Sequence, residues 1–340
     1  MTDTMSTAPT APARRLLPAV PALLAVLLGL APVLAHAEWH HRDEAIMGTR
    51  VAVELWSEDA ALATRAMDAV IAEMRRTDEL MSTYKPESQL SEVNAHAHER
   101  PVVVDADIIT VVERGLEMSR LSGGAFDITY ASVGYLYDYR AQQRPSDAEI
   151  AAALPGVDYR QVVVDRDARS IRFLKAGVRI DLGGIAKGYA VDRAIERLRE
   201  LGIEHAMVNA GGDTRLLGDR RGKPWIVGIR DPRAEGRMVT RLPLADEALS
   251  TSGDYERYFE EDGVRYHHIL VPGTGKSARA VRSATVLGPD ATLTDALSTT
   301  VFVLGEERGM EIVSRLPDVE AVVVDAEGRI FYSDGLAPPQ

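Results

Sequence analysis

The chain has 340 residues, no cysteine and a formal net charge of −12. Its 46% apolar and 26% charged residues are the balance of a globular protein with a core, not of a disordered or collagen-like chain. The missing cysteine excludes disulfides, thiolate nucleophiles, thiolate zinc sites, cysteine-held iron–sulfur clusters and a lipidated N-terminal cysteine. The acidic balance argues against nucleic-acid binding, which favours a basic face.

In chain order, Arg14 and Arg15 form a positive n-region, residues 16–34 are nearly uncharged and apolar, and Ala35-His36-Ala37 is an A-x-A cleavage site. This is the layout of a secretory signal. Residues 1–37 are expected to be removed, and residues 38–340 to form the mature domain, a single catalytic unit in the periplasm. The alternative is an uncleaved signal that holds the chain at the inner membrane; Pro18, Pro21 and Pro32 count against a regular spanning helix. Leu16, Leu17 and Pro18 fit a twin-arginine export signal poorly.

Val51-Ala52-Val53-Glu54-Leu55 reads as a strand. A helical stripe follows at Ala63, Met67, Val70 and Met74, with Ser57 as its cap. Val102-Val103-Val104-Asp105, Val162-Val163-Val164-Asp165 and Val322-Val323-Val324-Asp325 share a pattern, and the latter two read on into hairpins. Further helical stripes run over Ile108–Met118, over Ala190–Leu198 up to Gly202, and over Ala296–Leu304 up to Gly305. Strand pairs and helices without strict βαβ order point to an α+β fold, with largely antiparallel sheets flanked by helices.

Three segments carry candidate chemistry. Asp181-Leu182-Gly183-Gly184-Ile185-Ala186-Lys187-Gly188 runs from a strand end through a glycine turn into a helix. Free N–H groups and a lysine there suit phosphate, although a plain tight connection explains the glycines equally well. Asp295 and Thr299 lie at i and i+4 of one helix, so their oxygens share a face. Such a pair suits a hard cation like Mg²⁺, or serves as a solvated cap. Ser250-Thr251-Ser252-Gly253-Asp254-Tyr255 with His267 and His268 reads either as phosphate binding with proton transfer or as a polar hairpin. Gly273-Thr274-Gly275-Lys276-Ser277 ends like a P-loop, but Leu270 stands where that motif needs its first glycine.

Together these blocks, with Met47-Gly48-Thr49, Met81–Ser88, Gly123–Thr129 and Val208–Asp213, resemble the ApbE family of flavin transferases over about residues 47–304. The resemblance implies a T-fold-related, two-lobed α+β core. It implies Mg²⁺-dependent transfer of FMN from FAD to a threonine hydroxyl of an acceptor flavoprotein in an exported or membrane redox complex, with AMP released. It places Gly184 (main-chain carbonyl), Asp295 and Thr299 on the metal. Met47, Tyr84, Ala125, Phe126, Asp127, Asp181 and Lys187 are expected to line the FAD site, with Tyr84 or Phe126 stacking on a ring. His268 is expected to be the catalytic base or to orient the pyrophosphate. One departure is visible: Val271 stands where the family usually has aspartate, which puts the hydrogen bonding around His268 in question. The alternatives are FAD hydrolysis to FMN and AMP at the same site, and a non-catalytic flavin-binding protein.

Overall fold

The computed structural model describes residues 38–234 and 236–336, so the expected signal, residues 1–37, lies outside it. The described chain opens with an antiparallel hairpin, β1 (Glu38–Ile46) and β2 (Thr49–Ser57), closed by the two-residue turn Met47-Gly48. Both turn residues have positive φ, 55° and 69°, the geometry that matches the twist of a hairpin. Sequence reading finds β2 and misses β1, because β1 is a polar sheet edge with only Ile46 buried. α1 (Ala60–Met81) is capped by Asp59, which accepts from the N–H groups of Ala61 and Leu62. Ser57, the expected cap, lies too early; its hydroxyl accepts from the Asp59 N–H instead.

Next come α2 (Gln89–His96), β3 (Val102–Val103) and α3 (Ala106–Leu121). The first Val-Val-Val-Asp segment makes no hairpin. Its Asp105 caps α3, accepting from the Asp107 N–H. The short helices α4 (Ala131–Gly134) and α5 (Asp147–Ala153) lead to the hairpin β4 (Val162–Asp165) and β5 (Ser170–Phe173), which joins β3 in a three-stranded sheet. After α6 (Ala186–Glu200) the chain is mostly strand: β6 (Ala206–Ala210), β7 (Asp213–Leu217), β8 (Trp225–Arg230), β9 (Met238–Leu244) and β10 (Ala248–Gly253). Then come β11 (Tyr258–Glu261), β12 (Val264–His267), β13 (Leu270–Val271), β14 (Lys276–Ser277) and β15 (Val281–Gly288). α7 (Ala291–Val313), β16 (Glu320–Asp325) and β17 (Ile330–Tyr332) follow. The helix expected to stop at Gly305 does break there (φ 83°, ψ 178°), but a second helical stretch resumes and runs to Val313.

An eight-stranded sheet in the order β1-β2-β6-β7-β10-β15-β16-β17 organises these elements, and every pairing in it is antiparallel. The fold class is α+β. Alternation divides the sheet's two faces. Val53, Val208 and Leu217 meet buried residues of α1 and α6, and Ala284, Val286 and Val323 meet those of α7 and α3. On the other face Leu216, Leu249, Leu287 and Val322 pack beneath Trp225, Ile229 and Leu244 of the β8–β9 hairpin. Each large side chain so buried contributes about 1.5–3 kcal/mol. Asp213 on β7 stands opposite Ser250 on β10 in the ladder. Alternation puts both on the helix-covered face, which sets up the site. Among the described residues no helix is long and apolar enough to cross a membrane.

Candidate functional site

α6 begins without a side-chain cap of its own. A regular helix would return the Gly188 N–H to the Gly184 carbonyl. Here that N–H donates instead to Asp295 Oδ2 on α7, at 3.0 Å. α7 is capped from α6 in return. Asp192 accepts from the N–H groups of Ala291 and Thr292, both at 2.8 Å, and from the Thr292 hydroxyl at 2.6 Å. The two helices thus cap each other across about a hundred residues of sequence. Their approach is close: a Cβ on Gly188 would stand 2.1 Å from the Ala291 carbonyl oxygen and 2.9 Å from Asp295 Cβ.

Three charges meet at this crossing. Lys187 Nζ lies 2.9 Å from Asp213 Oδ2 and 3.2 Å from Asp295 Oδ2, and donates to the Gly183 carbonyl at 3.0 Å. Asp213 and Asp295 are only 2% and 3% exposed. Burial alone would lower the Lys187 ammonium's pKa; the two carboxylates more than offset it and push it up. Burial, then the neighbouring Asp213, pushes the Asp295 carboxyl up from its ordinary value, against the pull of Lys187 and the Gly188 N–H. Asp213 belongs to this cluster although it is absent from the expected site set. In the sequence it closes the Val208–Asp213 block, a carboxylate directly after a Gly-Gly turn, with nothing local to tie it to Lys187.

The expected metal residues converge. Asp295 and Thr299 share α7. A Cβ on Gly184 would stand 3.5 Å from Thr299 Oγ1, so the glycine's backbone faces that hydroxyl closely. Asp295 Oδ2 is committed to Gly188 and Lys187, whereas Oδ1 keeps a single loose contact, Lys187 Nζ at 3.4 Å. Among the described residues no group of three or more acidic or histidine side chains forms a metal cage. One carboxylate oxygen, one hydroxyl and one carbonyl relieved of its helical hydrogen bond fit instead a hard cation that completes its shell with water and substrate phosphate.

The serines expected near the chemistry brace this set. Ser252 Oγ lies 2.9 Å from Ser298 Oγ and 3.2 Å from Thr299 Oγ1, and Ser250 Oγ lies 2.9 Å from Thr294 Oγ1. These rungs fix α7 on β10. They make Ser250-Thr251-Ser252 part of a central strand rather than a hairpin turn.

The residues expected to line a flavin site divide by exposure. Tyr84 is 80% exposed and free to stack, while Phe126 is 5% exposed, with its ring under Gly184. Phe126 is therefore a support and not a stacking face, because its ring is already spent on the core. Asp127 is buried, and its acceptors are taken by Thr129 and the Tyr159 N–H; burial pushes its pKa up. Ala125 beside them is half-buried. Asp181 ties three loops together: it accepts from the Tyr130 hydroxyl (3.0 Å), the Thr83 hydroxyl (3.0 Å) and the Gly183 N–H (2.8 Å). It therefore fixes Tyr84 and the glycine turn relative to each other. Met47 occupies a left-handed conformation that few non-glycine residues adopt, while its side chain packs against two core clusters.

The two histidines differ sharply. His267 is buried, with Nε2 donating to the Ala278 carbonyl at 2.6 Å and Nδ1 accepting from the Ile269 N–H at 3.3 Å. Both its nitrogens are used for structure. His268 keeps a buried Nδ1 with no partner. Burial, then the nearby Arg257, drives its pKa down to about 3, so the ring is neutral near pH 7. Val271 leaves the adjoining hairpin intact: its main-chain carbonyl accepts from the N–H groups of Thr274 (3.0 Å) and Gly275 (2.8 Å). The P-loop-like run is the turn of that β13–β14 hairpin and precedes no helix.

The antiparallel scaffold that carries these residues is the one the comparisons find. The sequence model of the ApbE family matches residues 47–323. The chain belongs to the ApbE family. A protein from Treponema pallidum named FAD:protein FMN transferase is 33% identical, over 89% of this chain and 89% of its own length. One of the same name from Vibrio cholerae is 33% identical, over 93% of this chain and 97% of its own. Among solved structures, the ApbE protein of Thermotoga maritima superposes with a TM-score of 0.81 at 35% identity, covering 88% of this chain and 98% of that one. The flavin transferase ApbE from Vibrio cholerae superposes with a TM-score of 0.78 at 29% identity, with the same coverage. Within this family frame, the described residues bring Gly184, Lys187, Asp295 and Thr299 into one cluster.

Proposed function

We propose that this chain transfers the FMN moiety of FAD to a threonine hydroxyl of an acceptor flavoprotein, in a reaction that needs Mg²⁺ and releases AMP. That it is a transferase acting on flavin follows from its family and from the names its relatives carry. The finer reading is supported above all by the diverted Gly188 N–H, which leaves the Gly184 carbonyl without its helical partner at a glycine close to Thr299. That carbonyl, the Thr299 hydroxyl and Asp295 Oδ1 would hold the metal, which when bound offsets charge on the pyrophosphate. The Lys187 ammonium, fixed between two buried carboxylates, adds a cation that needs no reorganisation.

In the reaction the acceptor threonine Oγ forms a bond to the FMN-side phosphorus, and the bond from that phosphorus to the AMP phosphate breaks. The threonine proton would pass to the imidazole of His268, which its surroundings hold neutral and so able to accept one. AMP leaves and FMN stays on the acceptor as a phosphoester.

The test incubates residues 38–340 with FAD, Mg²⁺ and a threonine-bearing acceptor domain. Flavin fluorescence that survives denaturation, a mass gain of one FMN and stoichiometric AMP are expected. AMP and free FMN formed equally fast without acceptor would replace this reading with FAD hydrolysis. FAD binding without AMP release would leave a flavin-binding protein. We place the working enzyme in the periplasm, released by cleavage after Ala37, where its acceptors would be subunits of exported or membrane redox complexes.

A further inference from the structure

Arg257 stands next to the candidate base without a role in the fold. It follows β10 on the connection to the β11–β12 hairpin, and His268 follows β12, so the hairpin's return brings the two together. The Arg257 carbonyl accepts the His268 N–H at 3.1 Å. Its guanidinium lies over the Met47-Gly48 turn, close enough to the His268 ring for its charge to act on it. Nη2 lies 3.1 Å from where a Cβ on Gly48 would be.

This contact gives the turn's composition a reason. Any side chain at residue 48 would crowd the guanidinium, and the positive φ of Gly48 disfavours one in any case. Three carboxylates of the same hairpin region are taken by other cations. Asp254 and Glu260 pair with Arg265, and Glu261 pairs with Arg144. Among the described residues Arg257 forms no ion pair. An exposed guanidinium left free is common on surfaces. This one is bounded by the unpartnered His268 on one side and, on the other, by a strained Met47 that the family resemblance assigns to flavin. A planar cation with several donors suits two oxygens of one phosphate.

We propose that Arg257 is a phosphate-binding residue of this site, taking the FMN-side phosphate of FAD, the one whose phosphorus is attacked, and holding it beside His268. The proposal rests on the transferase reading of the site. Its chemistry divides the labour among cations: the metal and Lys187 would serve the α6–α7 crossing, and Arg257 the phosphate that is attacked. Its field also helps keep His268 unprotonated.

The experiment measures equilibrium binding of FMN, riboflavin and AMP to wild type, Arg257→Gln and Arg257→Lys, with Mg²⁺ present and before any transfer assay. Arg257 is exposed, so both variants should melt with wild type, checked by circular dichroism. Arg257→Gln is expected to lose about tenfold or more in FMN affinity, the scale of a charge-assisted hydrogen bond, with riboflavin and AMP affinities unchanged and Lys restoring part of the loss. In the transfer assay kcat should fall further than KM rises. Equal losses for FMN and riboflavin would overturn the proposal in favour of a contact with the ring, and unchanged FMN affinity would overturn it outright. Wild type that binds FMN normally but transfers none would sink the transferase reading while leaving the phosphate contact standing. Wild type that binds no FMN would remove both.

Discussion

Asp295 carries two duties that one substitution can separate. Oδ2 accepts the Gly188 N–H and faces Lys187, which is structural, while Oδ1 is nearly unspent. Asn keeps an acceptor for Gly188 and removes the charge; Ala removes both. Asp295→Asn is expected to lower transfer by more than about a hundredfold and to weaken Mn²⁺ binding followed by electron paramagnetic resonance, while melting close to wild type. Asp295→Ala should lose the same activity and also about 1–3 kcal/mol of stability in urea titrations, because a buried donor is left unmet. Equal stability of the two would remove Oδ2 from the account of how α6 is capped. His268 offers a test of sign. Its folded pKa, about 3, lies below the ordinary histidine value of 6.5. Between those values the unfolded chain binds a proton that the folded chain refuses. Stability from this group is therefore fully present above about pH 6.5 and is lost as pH falls toward 3. Replacing His268 with Gln should flatten that part of the stability–pH curve relative to wild type. A variant curve parallel to wild type would mean that the imidazole is not held neutral by its surroundings.

At the scale of elements, the α6–α7 crossing decides whether the site exists. Gly188 is the only residue type that allows it, since an added methyl meets backbone at 2.1 Å, far inside contact distance and with no flexible side chain to yield. Gly188→Ala is expected to cost about 3 kcal/mol or more in chemical denaturation and to abolish transfer together with Mn²⁺ affinity, because Asp295 and the Gly184 turn part company. Retained metal affinity in a destabilised variant would show that the two functions are not coupled through this crossing. Helices are the elements most legible in the sequence: α1, α3 and α6 show periodic buried stripes and stop at identifiable breakers. Strands such as β7 and β10 escape notice because they lie mid-sheet, and their inward positions hold Asp213, Ser250 and Ser252 instead of Val or Ile. Their polar residues are buried because α6 and α7 answer them with Lys187, Thr294 and Ser298. No window of local sequence contains both halves of those pairs.

The described chain begins at Glu38 in β1, which already pairs with Ser57 of β2. Fractionation of cells that express the full chain is expected to give a periplasmic protein whose intact mass starts at Glu38. A membrane-bound product retaining residues 1–37 would instead make the signal an anchor. The sheet also explains why motifs spread from Met47 to Thr299 act together. β2, β6, β7 and β10 are neighbours in it, so turns far apart in the chain open at adjacent positions.

The sequence by itself determined the α+β class, the family, the export-like N-terminus and most of the residues that gather at the site. Those follow from local signals: periodicity, glycine turns, and a carboxylate and hydroxyl spaced to share one helix face. The family resemblance already singled out His268, and the tertiary structure supplies the physical reason: His267 spends both nitrogens on main-chain groups, while His268 leaves Nδ1 without a partner. Only the tertiary structure turned Asp181, Asp127 and Phe126 into supports, and brought in Asp213 and Arg257. Hydrogen bonds and ion pairs between residues about a hundred positions apart, as at Gly188 and Asp295, depend on how the helices cross. That crossing is fixed by packing over the whole sheet and by no single stretch of chain.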